Sequence, residues 1–206
     1  MLYRVLKILL SPLIKLFWIE RVEGKHNIPR KGPIIIAANH ASYLDFAFLG
    51  AAVRRRLFFL AADWIYRNPF FRFIMRITGQ IKVDRFSKDK KMVYQAAADV
   101  LGRGHILVLF PEGTRSYDGK PLKAYRGVAR MALQNQVDIL PVAIENSHHV
   151  FGRHHKFPRI KRICRVKFLE PISYKEIADK TPEEIVHDIL MPEIAREIGH
   201  EYEHKT

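Results

Sequence analysis

One cysteine, Cys164, occurs in 206 residues. A lone thiol closes no disulfide within the chain, so a disulfide-stapled scaffold is excluded and a reducing, cytoplasmic setting is expected. Flanked by Ile163, Arg165 and Val166 in strand-like alternation, Cys164 reads as a small core residue rather than a nucleophile. Metal-ligand spacing is missing too. The ten histidines include His148–His149 and His154–His155 but no HExxH and no paired Cys/His pattern. They read as surface histidines, and no metal is expected. Neither an internal repeat, a low-complexity tract nor a clear linker divides the chain. Acid is absent from residues 1–19, yet Lys7 and Lys15 interrupt this stretch. A membrane span needs about 20 predominantly apolar residues, and a secretory signal needs a small-residue cleavage site. The amino terminus satisfies neither.

Positive charge is what the chain has in excess: 35 Lys and Arg against 21 Asp and Glu, net +14. The excess is uneven. Residues 174–206 carry four basic and nine acidic side chains, net −5, which leaves net +19 on residues 1–173. Such a field draws polyanions: nucleic acid, anionic lipid or phosphorylated substrates. A 48% apolar content with 27% charged residues is that of a globular chain, and the length fits one domain.

At the amino terminus Arg4, Lys7, Ser11 and Lys15 fall three or four apart, one stripe of a helix, while Leu2, Val5, Leu6, Leu9, Leu13, Leu16 and Phe17 fill the rest. Pro12 predicts a kink or two short helices. A basic, apolar helix ending at Trp18 suits the membrane interface. The alternative is a helix packed on the domain with its lysines outward. Residues 1–19 are therefore separated, as a membrane-associating segment, from a domain over 20–206.

Along that domain, Ile34 to Ala38, Leu57 to Ala61, Gln80 to Val83, Ile106 to Phe110, Asp138 to Ile144 and Arg162 to Leu169 read as strands. Helices are expected over Tyr43 to Val53, Phe70 to Ile77, from Ser87 to about Gly102, and Tyr125 to Gln136. Residues 146–161 read as a basic loop, and two helices follow, the second opened by Thr181-Pro182-Glu183-Glu184 as cap and first turn. Alternating strands and helices predict an α/β fold: a single domain with a mixed, mostly parallel central sheet flanked by helices.

The chemistry-bearing residues follow two of these strands. Asn39-His40 closes the first, and Asp45 stands five residues after His40. On a regular helix those two would lie about 140° apart. They meet if His40 sits in the turn and Asp45 in the first helical turn. A carboxylate on one imidazole nitrogen fixes the tautomer, and the other nitrogen is left to take a proton from a hydroxyl. The rival reading is a capping aspartate beside an unrelated histidine. After the second strand comes Phe110-Pro111-Glu112-Gly113-Thr114-Arg115. Gly113 permits close backbone approach. Arg115 offers a planar fork for phosphate, and Glu112 accepts from a substrate hydroxyl or holds Arg115. Arg85 follows Gly79-Gln80-Ile81-Lys82-Val83-Asp84, and alone it reads as solvated.

In order and spacing these segments resemble the glycerophosphate and lysophosphatidic acid acyltransferases. His40 to Asp45 is similar to that family's HxxxxD block, Gly79 to Arg85 to its GxxxxxR block, Phe110 to Arg115 to its FPEGTR block, and Leu140-Pro141-Val142-Ala143-Ile144 to its fourth. The likeness runs from about residue 20 to 145. It implies that His40 is the general base and Asp45 its orienter. It implies that Arg85 and Arg115 hold an acceptor phosphate while Glu112, Gly113 and Thr114 position the acceptor. Lys82 stands where the family often has an aromatic residue or proline.

The expected activity is 1-acylglycerol-3-phosphate O-acylation, without a cofactor. A lysophospholipid is the acceptor, acyl-CoA or acyl carrier protein is the donor, and the enzyme sits peripherally on the anionic, cytoplasmic face of a membrane. Two alternatives stand beside it. One is a relative acting on glycerol 3-phosphate or another lysophospholipid. The other is a non-catalytic basic module, for which the acid-free stretch from Arg153 through Lys156, Arg159, Lys161 and Arg162 to Lys167 is the argument. No recognised nucleic-acid module is present, and no nucleic-acid partner is expected.

Overall fold

The computed structural model describes residues 2–62, 69, 72–73, 80–83 and 91–204. Strands β1 (Ile19–Glu23), β2 (Ile34–Ala38), β3 (Leu57–Ala62), β4 (Ile81–Val83), β5 (Ile106–Leu109), β6 (Ile139–Glu145) and β7 (Cys164–Phe168) form one sheet ordered β1-β7-β6-β2-β5-β3-β4. Their pairings are parallel except β6 with β7, so the sheet is mixed and mostly parallel, as expected.

The apolar runs have a direct cause. β2 lies between β5 and β6 with both faces covered, so all five of its residues are buried. Side chains alternate across it. Ile35 and Ala37 join one core with Leu107 and Ile139, and Ile34, Ile36 and Ala38 join the other with Val108 and Leu140. Each fully buried isoleucine is worth about 1.5–3 kcal/mol over its exposed state. Helices Lys91–Gly102 and Gly127–Asn135 cover the first face together with the C-terminal helical segment. That segment begins where Thr181 and Glu184 cap each other reciprocally, with Pro182 in the first turn. It widens into a π-helical turn, Ile185–Leu190, before Met191–Glu197. Pro192 cannot donate to the carbonyl four residues back, which places the widening just before it.

On the other face lie α2 (Asp45–Ala52) and, outside it, α1 (Leu2–Phe17). α1 is one helix through Pro12, not two. Pro12 and Ile8 are both exposed, so the Ile8 carbonyl that loses its amide opens to water. The helix packs on the domain, but by the side not anticipated. Lys7 is half-buried and donates to the carbonyls of Arg54 and Arg55 at 3.2 and 3.0 Å, and burial lowers its ammonium to about 8. The Leu57 amide donates to the Tyr3 hydroxyl, and Ile14 and Trp18 pack on the core. The aliphatic stripe is what faces out: Ile8 is 71% exposed, Leu9 62% and Leu16 60%. Among the described residues no helix is long and apolar enough to cross a membrane.

Other elements differ from the sequence reading or lie beyond the described residues. Strand β1 was not anticipated, because its sequence Ile-Glu-Arg-Val-Glu buries only Ile19 fully and pairs at the sheet edge. The supposed loop after 145 contains a short helix, Ser147–Phe151, entered through Asn146 in the left-handed region. Of the expected helix Phe70 to Ile77 only residues 72–73 are described, and they are helical; the cap at Ser87 lies outside the described residues, and α2 begins at Asp45 rather than Tyr43.

Candidate active site

Parallel strands β2 and β5 are neighbours, so their carboxyl ends open on the same edge of the sheet. β2 delivers Asn39 and His40 there, and β5 delivers the loop from Phe110 to Ser116. Asn39 is 2% exposed at the end of an all-apolar strand, where its amide must find partners. It finds both on β6: Nδ2 donates to the Ile144 carbonyl at 2.9 Å and Oδ1 accepts from the Ile144 amide at 2.7 Å. The pair of bonds locks the strand end from which His40 departs.

The imidazole and the carboxylate do meet. His40 Nδ1 lies 2.7 Å from Asp45 Oδ2, and the same oxygen accepts the amides of Ala41 and Ser42, both at 2.8 Å. Asp45 is the first residue of α2, and side chains there lean back toward the amino terminus, over the turn that holds His40. The geometry is therefore the turn-plus-first-turn arrangement. Asp45 Oδ1 is buried and has no partner among the described residues. With Nδ1–H donated to Asp45, Nε2 carries the lone pair. The imidazole retains 18% of its exposure and stacks on Phe110, 4.1 Å between centroids.

The second segment holds the first. The His40 amide donates to Glu112 Oε1 at 2.8 Å, and the Ser116 amide donates to the His40 carbonyl at 2.8 Å. Glu112 Oε2 accepts the Leu122 amide at 2.8 Å. Glu112 thus spans two backbone segments and does not pair with Arg115. Burial pushes its carboxyl up to about 7, against the lowering effect of the Leu122 and His40 amides, and nearby Asp45 adds to the rise. Gly113 sits at φ 66°, and a Cβ there would come within 2.9 Å of the Tyr125 ring. The left-handed backbone favours glycine, and any side chain there would push the exposed Tyr125 ring aside. Thr114 is exposed on the loop.

Arg115 is brought to the same place by an aromatic shelf. Its Cζ lies 3.3 Å from the centroid of Tyr43, inside the His40–Asp45 turn, and Tyr43 packs on Phe151 at 4.8 Å. Nη1 of Arg115 is buried without a hydrogen-bond partner among the described residues. Arg153 donates to the Arg115 carbonyl at 3.1 Å and lies over Tyr117. Arg85 lies outside the described residues, so the structure places only one of the two expected arginines.

Sequence reasoning missed Tyr43, Phe151 and Arg153 as parts of this site. Their signal was weak, since aromatics and an arginine in loops carry no spacing of their own. It also assigned nothing to the C-terminal residues. Tyr202 is buried there, its hydroxyl accepts the Ala124 amide at 3.1 Å, and His187 Nδ1 lies 2.9 Å from it. The carboxyl terminus braces the segment whose Leu122 amide fills Glu112.

An α/β sheet with a histidine–aspartate pair and a guanidinium at its carboxyl edge defines the class. The chain belongs to the acyltransferase family, whose model matches residues 20–145. Among similar proteins is the 1-acyl-sn-glycerol-3-phosphate acyltransferase of Saccharomyces cerevisiae, 31% identical over 96% of this chain and 65% of its own. That of Borreliella burgdorferi is 31% identical over 63% of this chain and 52% of its own. A lyso-ornithine lipid O-acyltransferase of Pseudomonas aeruginosa is 34% identical over 60% and 46%. The chain thus spans about half to two thirds of the length of these relatives. The crystal structure of the 1-acyl-sn-glycerophosphate acyltransferase PlsC from Thermotoga maritima shares the fold, with TM-score 0.74 and 24% identity, over 93% of this chain and 79% of that one.

Proposed function

We propose that the chain moves an acyl group from a thioester, acyl-CoA or acyl carrier protein, to the free hydroxyl of 1-acylglycerol 3-phosphate, giving phosphatidic acid. The observation that carries this is the 2.7 Å contact of His40 Nδ1 with Asp45 Oδ2, on a turn whose Tyr43 shelves the Arg115 guanidinium. Nε2 of His40 takes the proton as the acceptor oxygen attacks the thioester carbonyl. A carbon–oxygen bond forms, the carbon–sulfur bond breaks, and the thiolate takes the proton back from the imidazolium. No acyl-enzyme is needed. Asp45 steadies the imidazolium. Arg115, with Arg85 from the neighbouring block, binds the acceptor phosphate, and this binding orients the hydroxyl. Glu112 acts mainly through the backbone of His40, while Gly113 and Thr114 border the acceptor.

The same proposal places α1 in the membrane interface as the segment before the catalytic domain. Its exposed aliphatic stripe lies opposite the side that Lys7 fastens to the domain, and the chain carries +14 for an anionic surface. This is a peripheral or monotopic position, and the cytoplasmic face agrees with the single, reduced cysteine.

The test is thiol release from acyl-CoA with a panel of acceptors. Lysophosphatidic acid should support turnover well above glycerol 3-phosphate and lyso-ornithine lipid. Turnover confined to the phosphate-free acceptor would contradict a phosphate-binding Arg115.

A further inference from the structure

The basic stretch after 150 is divided by the structure. Its strand part is neutralised: Arg165 pairs with Glu20 and Glu145, and Lys167 with Glu197. Its loop part is not. Lys156, Arg159, Lys161 and Arg162 are exposed and form no ion pair among the described residues. Between these cations stand Phe157, 79% exposed, and Ile160, 72% exposed. Two exposed apolar side chains three residues apart in a cationic loop match the composition of a segment that meets an anionic lipid surface.

The loop is also fastened at both sides. The Trp18 indole donates to the Arg159 carbonyl at 2.8 Å, and Arg162 Nε donates to the Ile19 carbonyl at 3.1 Å. Trp18 meets Phe17, at the outer end of the exposed stripe of α1, at 5.9 Å. On the other side the Arg159 amide donates to the Val150 carbonyl at 2.9 Å. Next to it, the Phe151 carbonyl accepts the Tyr43 amide at 2.9 Å and the Ser42 hydroxyl at 3.2 Å. One hydrogen-bonded path therefore runs from the end of α1, through the loop, to the turn that carries His40 and Asp45.

We infer that residues 156–162 are a second membrane contact, inserting Phe157 and Ile160 among the acyl chains of an anionic bilayer while Lys156, Arg159, Lys161 and Arg162 meet the headgroups. The inference rests on the interfacial placement of α1 and deepens it. α1 alone would leave the chain free to rock about a single helix. A second contact joined to the 42–43 turn holds the site opening at the level of the lipid surface, where an amphiphilic acceptor presents its hydroxyl. An aliphatic side chain beside an aromatic one favours lipid over nucleic acid, whose bases stack on rings and gain little from isoleucine.

The experiment compares three full-length chains on phosphatidylglycerol and phosphatidylcholine vesicles by co-sedimentation: the wild type, Phe157→Ser/Ile160→Ser, and Leu9→Ser/Leu13→Ser/Leu16→Ser. All replaced side chains are exposed, so folding is retained. The loop variant should bind phosphatidylglycerol at least about tenfold more weakly than the wild type. Ile160→Cys carrying an environment-sensitive dye should shift to the blue on those vesicles; the native Cys164 is buried and escapes labelling. Loss in the helix variant alone, with wild-type binding by the loop variant and no dye shift, overturns the second contact and leaves the α1 reading intact. Wild-type binding by both variants overturns both readings. Loop-dependent binding of single-stranded RNA without loop-dependent vesicle binding also overturns the inference.

Discussion

The backbone amide of His40 donates to Glu112 Oε1 at 2.8 Å, so the carboxyl group of one motif holds the main chain of the other. Burial raises that carboxyl from an ordinary 4.5 to about 7. The native state therefore binds a proton between about pH 4.5 and 7 that the unfolded chain has released. With more protons bound in the native state, stability falls as pH rises through this window. Thermal midpoints of the wild type and Glu112→Gln, measured across it, check the sign: the wild type should lose stability relative to the variant. Parallel curves would contradict the shift. Glu112→Gln should also be less stable by about 1–3 kcal/mol, because its NH2 confronts a backbone N–H that the carboxylate accepted.

Tyr43 supports Arg115 from beneath, with 3.3 Å between Cζ and the ring centroid. A cation over a ring is worth about 0.5–2 kcal/mol, so Tyr43→Leu should raise the KM for the phosphorylated acceptor by about 2- to 30-fold. The kcat and the KM for the acyl donor should stay near wild type, and Tyr43→Phe should keep the wild-type KM. Steady-state kinetics with the acceptor varied decides this. An unchanged acceptor KM in Tyr43→Leu would mean that Arg115 is held without the shelf or binds no acceptor.

Asn39 fastens the end of β2 to Ile144 by two bonds in a fully buried setting. Asn39→Ala strands a buried N–H and a buried carbonyl, each costing about 1–3 kcal/mol. Chemical denaturation should therefore report a loss of about 2–6 kcal/mol, accompanied by lower kcat, since His40 is the next residue. Wild-type stability in this variant would show that the Ile144 groups find other partners.

Much of the fold was legible in the chain. β2, β5 and β6 announce themselves because a parallel strand covered on both faces reads as an unbroken apolar run. The meeting of His40 and Asp45 was legible as well, because a short turn after a strand allows few placements. What escaped reading depends on partners without sequence identity. Glu112 binds two backbone amides, and any residue supplies an amide. Tyr43 and Arg115 are distant in sequence, and only the β2–β5 pairing brings them together. α1 misled for a different reason. Lysine normally faces water, yet Lys7 finds two carbonyls at the end of α2 and turns the leucines outward. Of the Gly79 to Arg85 block, β4 is described and Arg85 itself lies outside the described residues.

The central claim is that the imidazole held by Asp45 removes the proton from the acceptor hydroxyl. Its most direct test is thiol release from acyl-CoA with lysophosphatidic acid by His40→Ala, with an unchanged thermal midpoint confirming that the protein is folded. The kcat should fall by about 10²- to 10⁴-fold. Turnover within a few-fold of the wild type, from a folded variant, would contradict it.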